Sequence, residues 1–131
     1  MEASSDEIVK EAYKKDEYIF FEGDLDAHLY IVESGQVQIF TKNPQGKRLN
    51  IITVQEGESF GEFALLDHQP RSASAQALTD CVVIRVSEQG FEQLLNELPV
   101  WASSMMKTFS HRLRHMNKIV KNAFPQFMER E

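Results

Sequence analysis

A glycine, a carboxylate and an arginine lie close together in the segment 60–77. Gly61 has no Cβ, so another group can approach its backbone closely, and nearby amide N–H groups can point at an anion. Glu62 is an acceptor of the kind that binds sugar hydroxyls. Arg71, with the hydroxyl of Ser72 beside it, can make bidentate contacts with a phosphate. These residue types predict a site for a small anionic ligand that carries hydroxyl groups.

A short apolar segment separates the glutamate from the arginine. Residues 63–66 can form one buried helical turn, whose first N–H groups have no partner within the helix and would face the anion. Residues 67–70 then turn the chain back towards Arg71. A Gly-Glu pair and an arginine are each commonplace on protein surfaces, so the prediction depends on their occurring together.

The same segment also matches a known pattern. The residues that carry the match are Phe60, Gly61, Glu62, Phe63 and Ala64, followed by Arg71, Ser72 and Ala73. Together they resemble the phosphate-binding cassette of the cyclic nucleotide-binding domain family, which includes catabolite activator proteins, regulatory subunits of cyclic-AMP-dependent kinase and cyclic-nucleotide-gated channels. The resemblance implies that Glu62 binds the ribose 2′-hydroxyl and that Arg71 binds the cyclic phosphate, with help from Ser72 and the turn amides. Phe63 departs from the family, which more often has Leu or Ile there, but the change removes no polar contact.

The resemblance also implies the nucleotide and the rest of its pocket. A serine after the arginine can serve either purine, but the run 71–73 is most similar to the catabolite-activator branch, so we expect cyclic AMP rather than cyclic GMP. Ile39 and Ile51 are expected to line the wall beneath the base. Met116 and Asn117 fall at the positions that cap the purine, where Asn117 can hydrogen-bond its edge.

Short apolar segments separated by turn residues precede and follow the cassette. They predict strands at 18–21, 29–32, 37–40, 49–54, 72–78 and 81–86. Many short strands at close spacing are typical of a small sandwich or barrel. The resemblance implies a mainly β fold with flanking helices: an eight-stranded double-stranded β-helix, or jelly roll, over about residues 16–86 of a single domain 1–131. Apolar residues at helical spacing predict a first helix over 4–15, with Ile8, Val9, Ala12 and Tyr13 on it.

From Ser87 to about residue 122 the pattern becomes helical. A short helix begins at Ser87, and Pro99 can occupy the first position of a long second helix. An apolar stripe on that helix is interpreted as a seam against a second copy in a homodimer; it consists of Met106, Phe109, Leu113, Met116 and Val120. A second apolar edge, Trp101 and Met105, is expected to face the β-roll. On ligand binding the helix is expected to repack as a lid.

The composition of the chain argues against several classes of function. The chain has 131 residues and a net charge of −6, which argues against non-specific binding of nucleic acid. No segment approaches the length of a membrane span and no signal peptide is visible, so we expect a cytoplasmic protein without membrane contact. Cys81 is the one cysteine, so an internal disulfide is excluded and a buried small side chain is expected. Few residues follow Asn122, too few for a helix-turn-helix, so no DNA-binding domain is expected.

Two other kinds of chemistry deserve comparison. His111 and His115 lie four residues apart on a helix, a spacing that can chelate a metal, but Arg112 and Arg114 beside them would repel a cation. We therefore expect exposed histidines and no metal site. The metal-dependent cupin enzymes share a β-roll, but His28 and His68 lack clustered partners in sequence.

The sequence shows no arrangement of a nucleophile and a base, so we expect a binding domain without a cofactor and not an enzyme. The alternative is a degenerate β-roll that serves as a ligand-free dimerisation or docking module. The intact cassette argues against that alternative.

Overall fold

A computed structural model describes residues 8–62 and 69–123, without the side chains of several residues in the second half of the last helix. Eight strands lie in these ranges and two helices follow them. The strands are β1 Ile8–Tyr13, β2 Tyr18–Phe20, β3 Leu29–Ser34, β4 Val37–Lys42, β5 Arg48–Val54, β6 Ser59–Phe60, β7 Ser74–Ala77 and β8 Cys81–Val86. The helices are α1 Glu88–Asn96 and α2 Val100–Ala123.

The strands form two four-stranded antiparallel sheets. One has the order β1-β8-β3-β6 and the other the order β2-β7-β4-β5. Strands that are distant in sequence are therefore neighbours in each sheet, as β1 and β8 are. The predicted mainly β fold with a roll of eight strands and trailing helices is confirmed.

The hydrophobic core lies between the two sheets. Each sheet contributes alternate side chains, such as Val32 and Val83 from the first sheet and Val37 and Ala75 from the second, all fully buried. Cys81 is buried among them, as predicted from its apolar surroundings.

The first helix predicted from the sequence is wrong where the structure describes it. Residues Ile8–Tyr13 form β1, which pairs with the whole length of β8, from Ile8 opposite Val86 to Tyr13 opposite Cys81. The apolar residues fit a helical spacing, but β-branched side chains also suit a strand, and the free edge of β8 provides a partner. Tyr13 packs against the core from this strand. Among the described residues, the first strand is therefore β1 at Ile8–Tyr13.

The two helices begin close to where the sequence predicted. Ser87 caps α1, since its hydroxyl accepts a hydrogen bond from the Gly90 N–H at 3.0 Å. Pro99 stands immediately before α2 rather than inside it, and its carbonyl accepts from the N–H groups of Ala102 and Ser103, both at 3.0 Å. Within the described ranges, neither helix is both long enough and apolar enough to cross a bilayer.

The prediction that one edge of α2 faces the β-roll is wrong. Trp101 is 69% exposed and Met105 is 47% exposed, although α2 does contact α1. On the predicted seam, Phe109 is 49% exposed and Met116 is 61% exposed. An apolar edge in a sequence indicates that a helix gains by burial, but it does not identify the surface that buries it.

Candidate functional site

Arg71 lies just before β7 and is anchored to the loop between β2 and β3 by its backbone. Its N–H donates to the Asp24 carbonyl at 2.9 Å, and its own carbonyl accepts from the Gly23 N–H at 2.8 Å. The side chain is only 3% exposed. A cationic side chain that is buried to this extent needs polar partners, because the interior does not solvate its charge.

The guanidinium of Arg71 joins three segments of the chain. Its Nη1 donates to the Gly61 carbonyl at 2.7 Å. Its Nη2 donates to the His28 carbonyl at 2.8 Å and to Asp26 Oδ2 at 3.0 Å. The β2–β3 loop and the start of the cassette are thus held together through one side chain.

Aromatic rings form one side of the guanidinium's surroundings. Arg71 Cζ lies 4.0 Å from the centroid of the Phe20 ring and 5.7 Å from that of Tyr30. Tyr30 in turn stacks on Phe60 with centroids 5.2 Å apart. A cation over an aromatic face is stabilised by the ring quadrupole, more so when water is excluded. Phe60, predicted as a ligand residue, belongs to this aromatic group in the core.

One donor of Arg71 is unused by the described part of the chain. Its Nε is buried and has no hydrogen-bond partner there. A buried donor left unpaired costs about 1–3 kcal/mol, so such groups in native proteins call for an explanation. An acceptor oxygen from an anion that reaches Nε would satisfy this donor.

Asp26 is the acidic partner of this arginine. Its carboxylate accepts from Arg71, from the Tyr30 hydroxyl at 3.2 Å and from Nδ1 of His28. Burial by itself would raise the pKa of Asp26, but the hydrogen bonds from His28 and Arg71 outweigh it and hold the pKa below its usual range. Burial, reinforced by the charge of Asp26, raises the pKa of Tyr30 far above its usual value, so the phenol remains a donor.

The sequence did not identify Asp26 and His28 as partners of Arg71, nor Phe20 and Tyr30 as the rings beside its guanidinium. These residues lie in an ordinary polar loop and in strands, and nothing local distinguishes them from a solvated turn. Asp26 is separated from Arg71 by 45 residues in sequence. A second carboxylate near the Gly-Asp turn was the only available signal, and it is a weak one.

Gly61 is a glycine for a reason that differs from the predicted one. Its φ is +77°, and a Cβ added there would lie 2.6 Å from Arg71 Nη1. The approach that the missing side chain permits is therefore that of the arginine, in a backbone conformation that glycine adopts at least cost. Glu62 follows directly and is half-buried, so the predicted ribose and phosphate partners are linked through the Gly61 carbonyl.

The other predicted site residues lie in different parts of the chain. Ser72 is exposed and Ala73 is half-buried, both next to Arg71 in the chain, while Phe63 and Ala64 lie outside the described residues. Ile39 on β4 is half-buried and packs against the core.

The pairing of β4 with β5 is irregular at Ile51. Ile39 pairs with Ile52 and Phe40 pairs with Asn50, so Ile51 has no direct partner and is 58% exposed. Met116 is exposed on α2, and the side chain of Asn117 lies outside the described part of the chain. The structure therefore brings Gly61, Glu62 and Arg71 together and leaves Ile51 and Met116 uncovered.

This geometry agrees with a comparison against known families. The family model described as "Cyclic nucleotide-binding domain" matches residues 10–97, more than half of the chain. The chain belongs to the cyclic nucleotide-binding domain family, a family of regulatory binding domains.

Two relatives show the range of proteins in which similar sequences occur. The cyclic AMP receptor protein of Thermus thermophilus is 35% identical over 102 residues, which cover 78% of this chain and 47% of that protein. A cAMP-dependent protein kinase regulatory subunit of Candida albicans is 34% identical over 91 residues, covering 70% of this chain and 19% of the subunit. The chain thus spans less than half the length of either relative.

A solved structure with a similar fold is the EAL enzyme Bd1971. Its half-site-occupied form has a TM-score of 0.77 and 34% identity, covering 83% of this chain and 97% of that one. Its cAMP-bound form has a TM-score of 0.63 and 31% identity, over 94% of this chain and 35% of that one. Its cGMP-bound form has a TM-score of 0.62 and 34% identity, over 81% and 28% of the two chains.

Proposed function

We propose that the chain senses a cyclic nucleotide monophosphate, with cyclic AMP as the preferred ligand, and that α2 repacks when the nucleotide binds. The observation that carries this proposal is the buried guanidinium of Arg71, whose Nη1 donates to the Gly61 carbonyl and whose Nε has no partner among the described residues. The phosphate would accept from Nε, and Glu62 would bind the ribose 2′-hydroxyl.

The placement of Arg71 suits the binding of a singly charged phosphate. Its guanidinium is already held by Asp26 and by the carbonyls of Gly61 and His28, so little side-chain entropy is lost on binding. Its burial weakens screening by water, so the attraction to an anion is stronger than at a surface. Local groups must supply this attraction, since the whole chain carries a net charge of −6.

The preference for cyclic AMP is the finer part of the proposal. It is supported by the run 71–73 and by two relatives whose names refer to cyclic AMP. The EAL enzyme Bd1971 has forms with either nucleotide, and the hydroxyl of Ser72 can serve either purine. We expect discrimination to be modest for that reason.

The response of α2 is proposed from its exposed apolar side chains. Met116 on α2 and Ile51 on β5 are both more than half exposed, so each offers apolar surface that a purine would cover once α2 repacks over the β-roll. That contact would favour one arrangement of α2 over another, which is what a ligand must do to shift an equilibrium. The exposed Met106 and Phe109 are proposed to pack against a second copy in a homodimer.

We further propose a binding domain and not an enzyme, located in the cytoplasm. The family match supports a regulatory role. A single cysteine, buried in the core, suits a reducing compartment.

Calorimetric titration with cyclic AMP and cyclic GMP tests the function. We expect micromolar or tighter binding of cyclic AMP and weaker binding of cyclic GMP. Glu62→Gln should weaken both, and Glu56→Gln, an exposed turn carboxylate, should weaken neither. Failure of both nucleotides to bind would refute the proposal.

The rival function is a ligand-free dimerisation module, favoured by the exposed apolar side chains of α2. Thermal unfolding distinguishes the two, because a ligand that binds the folded state must raise the melting temperature by mass action. An unchanged melting temperature in saturating cyclic AMP would support the rival.

A further inference from the structure

The carboxylate of Asp26 is shared between an arginine and a histidine. Oδ2 accepts from Arg71 Nη2 at 3.0 Å and Oδ1 contacts Nδ1 of His28. The His28 side chain is 31% exposed, Asp26 is 20% exposed and Arg71 is 3% exposed. The histidine is thus the member of this group through which solvent protons can most readily reach the site.

Formal charges show what a proton on His28 would do. With a neutral imidazole, the positive charge of Arg71 is offset by Asp26, and the three side chains carry no net charge. With an imidazolium, the same three side chains carry one positive charge. An incoming anion therefore meets a different local potential in the two states, although no atom of the phosphate site has changed.

We propose that His28 is a positioning residue that makes phosphate binding at Arg71 depend on pH, with tighter binding when its imidazole is protonated. The imidazolium takes up the negative charge of Asp26 and leaves the charge of Arg71 less compensated for the ligand. This inference rests on the proposed function, because it describes regulation of the same site.

The groups that face His28 keep their charge between about pH 5 and pH 8. Asp26, on the same loop, is held ionised by its hydrogen bonds, since its pKa is lowered. Arg71, from the segment before β7, donates to the His28 carbonyl and remains charged. Tyr30 on β3, which donates to Asp26, stays neutral because its pKa is raised.

Histidine is the side chain that ordinarily changes charge in this pH range. A cyclic phosphate diester keeps its single negative charge throughout. Glu62 is the carboxylate of the adjoining turn, next to the Gly61 carbonyl that Arg71 contacts. The contribution of Glu62 to the pH dependence of the affinity is separated from that of His28 by repeating the pH series with Glu62→Gln.

We expect the affinity for cyclic AMP to rise about three- to tenfold from about pH 8 to about pH 5.5, the effect of one added charge at a partly exposed site. By linkage, binding that is tighter to the protonated imidazole should take up a fraction of a proton. Calorimetry in two buffers with different ionisation enthalpies measures this uptake directly.

Three variants distinguish a charge effect from a structural one. His28→Asn keeps a donor for Asp26 but no charge, so its affinity should stay at the high-pH level of the wild type and its proton uptake should be lost. His28→Lys keeps a positive charge, so its affinity should stay at the low-pH level across the range. His111→Asn, which removes an exposed histidine from α2, should keep the wild-type profile.

The outcomes separate this inference from the function on which it rests. If neither nucleotide binds the wild type at any pH, the proposed function fails. If the wild type binds but takes up no proton, or if His28→Asn keeps the full pH dependence, the role of His28 is wrong and the sensor function stands. If His28→Asn does not fold, a wild type that takes up no proton still refutes the role of His28, and a pH-independent affinity of His28→Lys still supports it.

Discussion

Replacing Arg71 by alanine should weaken the fold as well as the binding of the nucleotide. The change removes the three hydrogen bonds at 2.7, 2.8 and 3.0 Å to Gly61, His28 and Asp26. It also removes the cation from the face of Phe20, 4.0 Å from the ring centroid. The backbone carbonyls of Gly61 and His28 each lose a donor, and the carboxylate of Asp26 loses its permanently charged partner.

The cost in stability follows from these contacts. Breaking a buried ion pair by removing one partner costs about 3–5 kcal/mol. Asp26 is 20% exposed and keeps its contacts with His28 and Tyr30, so we expect a smaller loss, about 2–3 kcal/mol. Set against the roughly 5–15 kcal/mol of a typical domain, this leaves the protein folded, with a melting temperature lower by roughly 10 °C.

The loss in affinity is measured separately. Calorimetry well below the melting temperature, with circular dichroism to show that the protein is folded, should find cyclic AMP binding weakened by more than about 100-fold, or about 2.7 kcal/mol. Arg71→Lys keeps the charge but cannot reproduce the planar fork, so both losses should be intermediate. Arg85→Ala is the control, because its ion pair with Glu11 lies at a 32% exposed side chain and contributes at most about 1 kcal/mol.

Two results would refute this reasoning. A fall in affinity of less than tenfold, about 1.4 kcal/mol, would show that Arg71 is not the phosphate partner. A melting temperature for Arg71→Ala equal to that of Arg85→Ala would show that the contacts with Asp26 and the two carbonyls do not brace the fold.

Three further predictions follow from single features of the structure. Gly61→Ala should lower the free energy of unfolding by about 1–3 kcal/mol and weaken nucleotide binding, because its Cβ would lie 2.6 Å from Arg71 Nη1. Gly46→Ala is the control: its φ of +81° is similar but its surroundings are open, so it should lose only about 1 kcal/mol and bind as before. Urea unfolding measures the stabilities and calorimetry measures the binding. The pKa of Asp26 is lower in the folded protein, so its carboxylate stabilises the fold above the unfolded pKa near 4, and this stabilisation is lost as the pH falls through the folded pKa. Between about pH 6 and pH 3, the wild type should therefore lose more stability than Asp26→Asn. Equal losses in urea unfolding would contradict this prediction. Phe109→Glu places a charge among the exposed apolar side chains of α2 and should shift the proposed homodimer towards monomer in sedimentation equilibrium, with His111→Asn as control. A mass that Phe109→Glu leaves unchanged would contradict the proposed seam.

Local chemistry made one part of the candidate site, the segment from Gly61 to Arg71, predictable from the sequence. Gly61 and Glu62 are adjacent, Arg71 follows within the same segment, and their residue types already suit an anion that bears hydroxyls. The short apolar segments were likewise sufficient to predict most of the strands, since alternating burial has a period of two along the chain. Strand β6, with only Ser59 and Phe60, was too short to leave such a pattern.

Contacts between distant segments were not predictable in this way. Residues Ile8–Tyr13 fit a helical spacing, and only the free edge of β8 makes them a strand. The sequence predicts that Trp101 faces the β-roll because the residue is apolar. In the structure it is 69% exposed, and its exposure depends on the direction that α2 takes relative to the sheets.

By itself, the sequence predicted most of the strands and the kind of anion that the residue types of segment 60–77 suit, because both depend on residue types at short spacing. The arrangement of the strands as a β-roll came from the resemblance to the family. The tertiary structure alone decided that the guanidinium of Arg71 is buried over Phe20 and braced by Asp26, with His28 on the other carboxylate oxygen. Those contacts join segments far apart in the chain, and only the folding of the two sheets brings them within hydrogen-bonding distance.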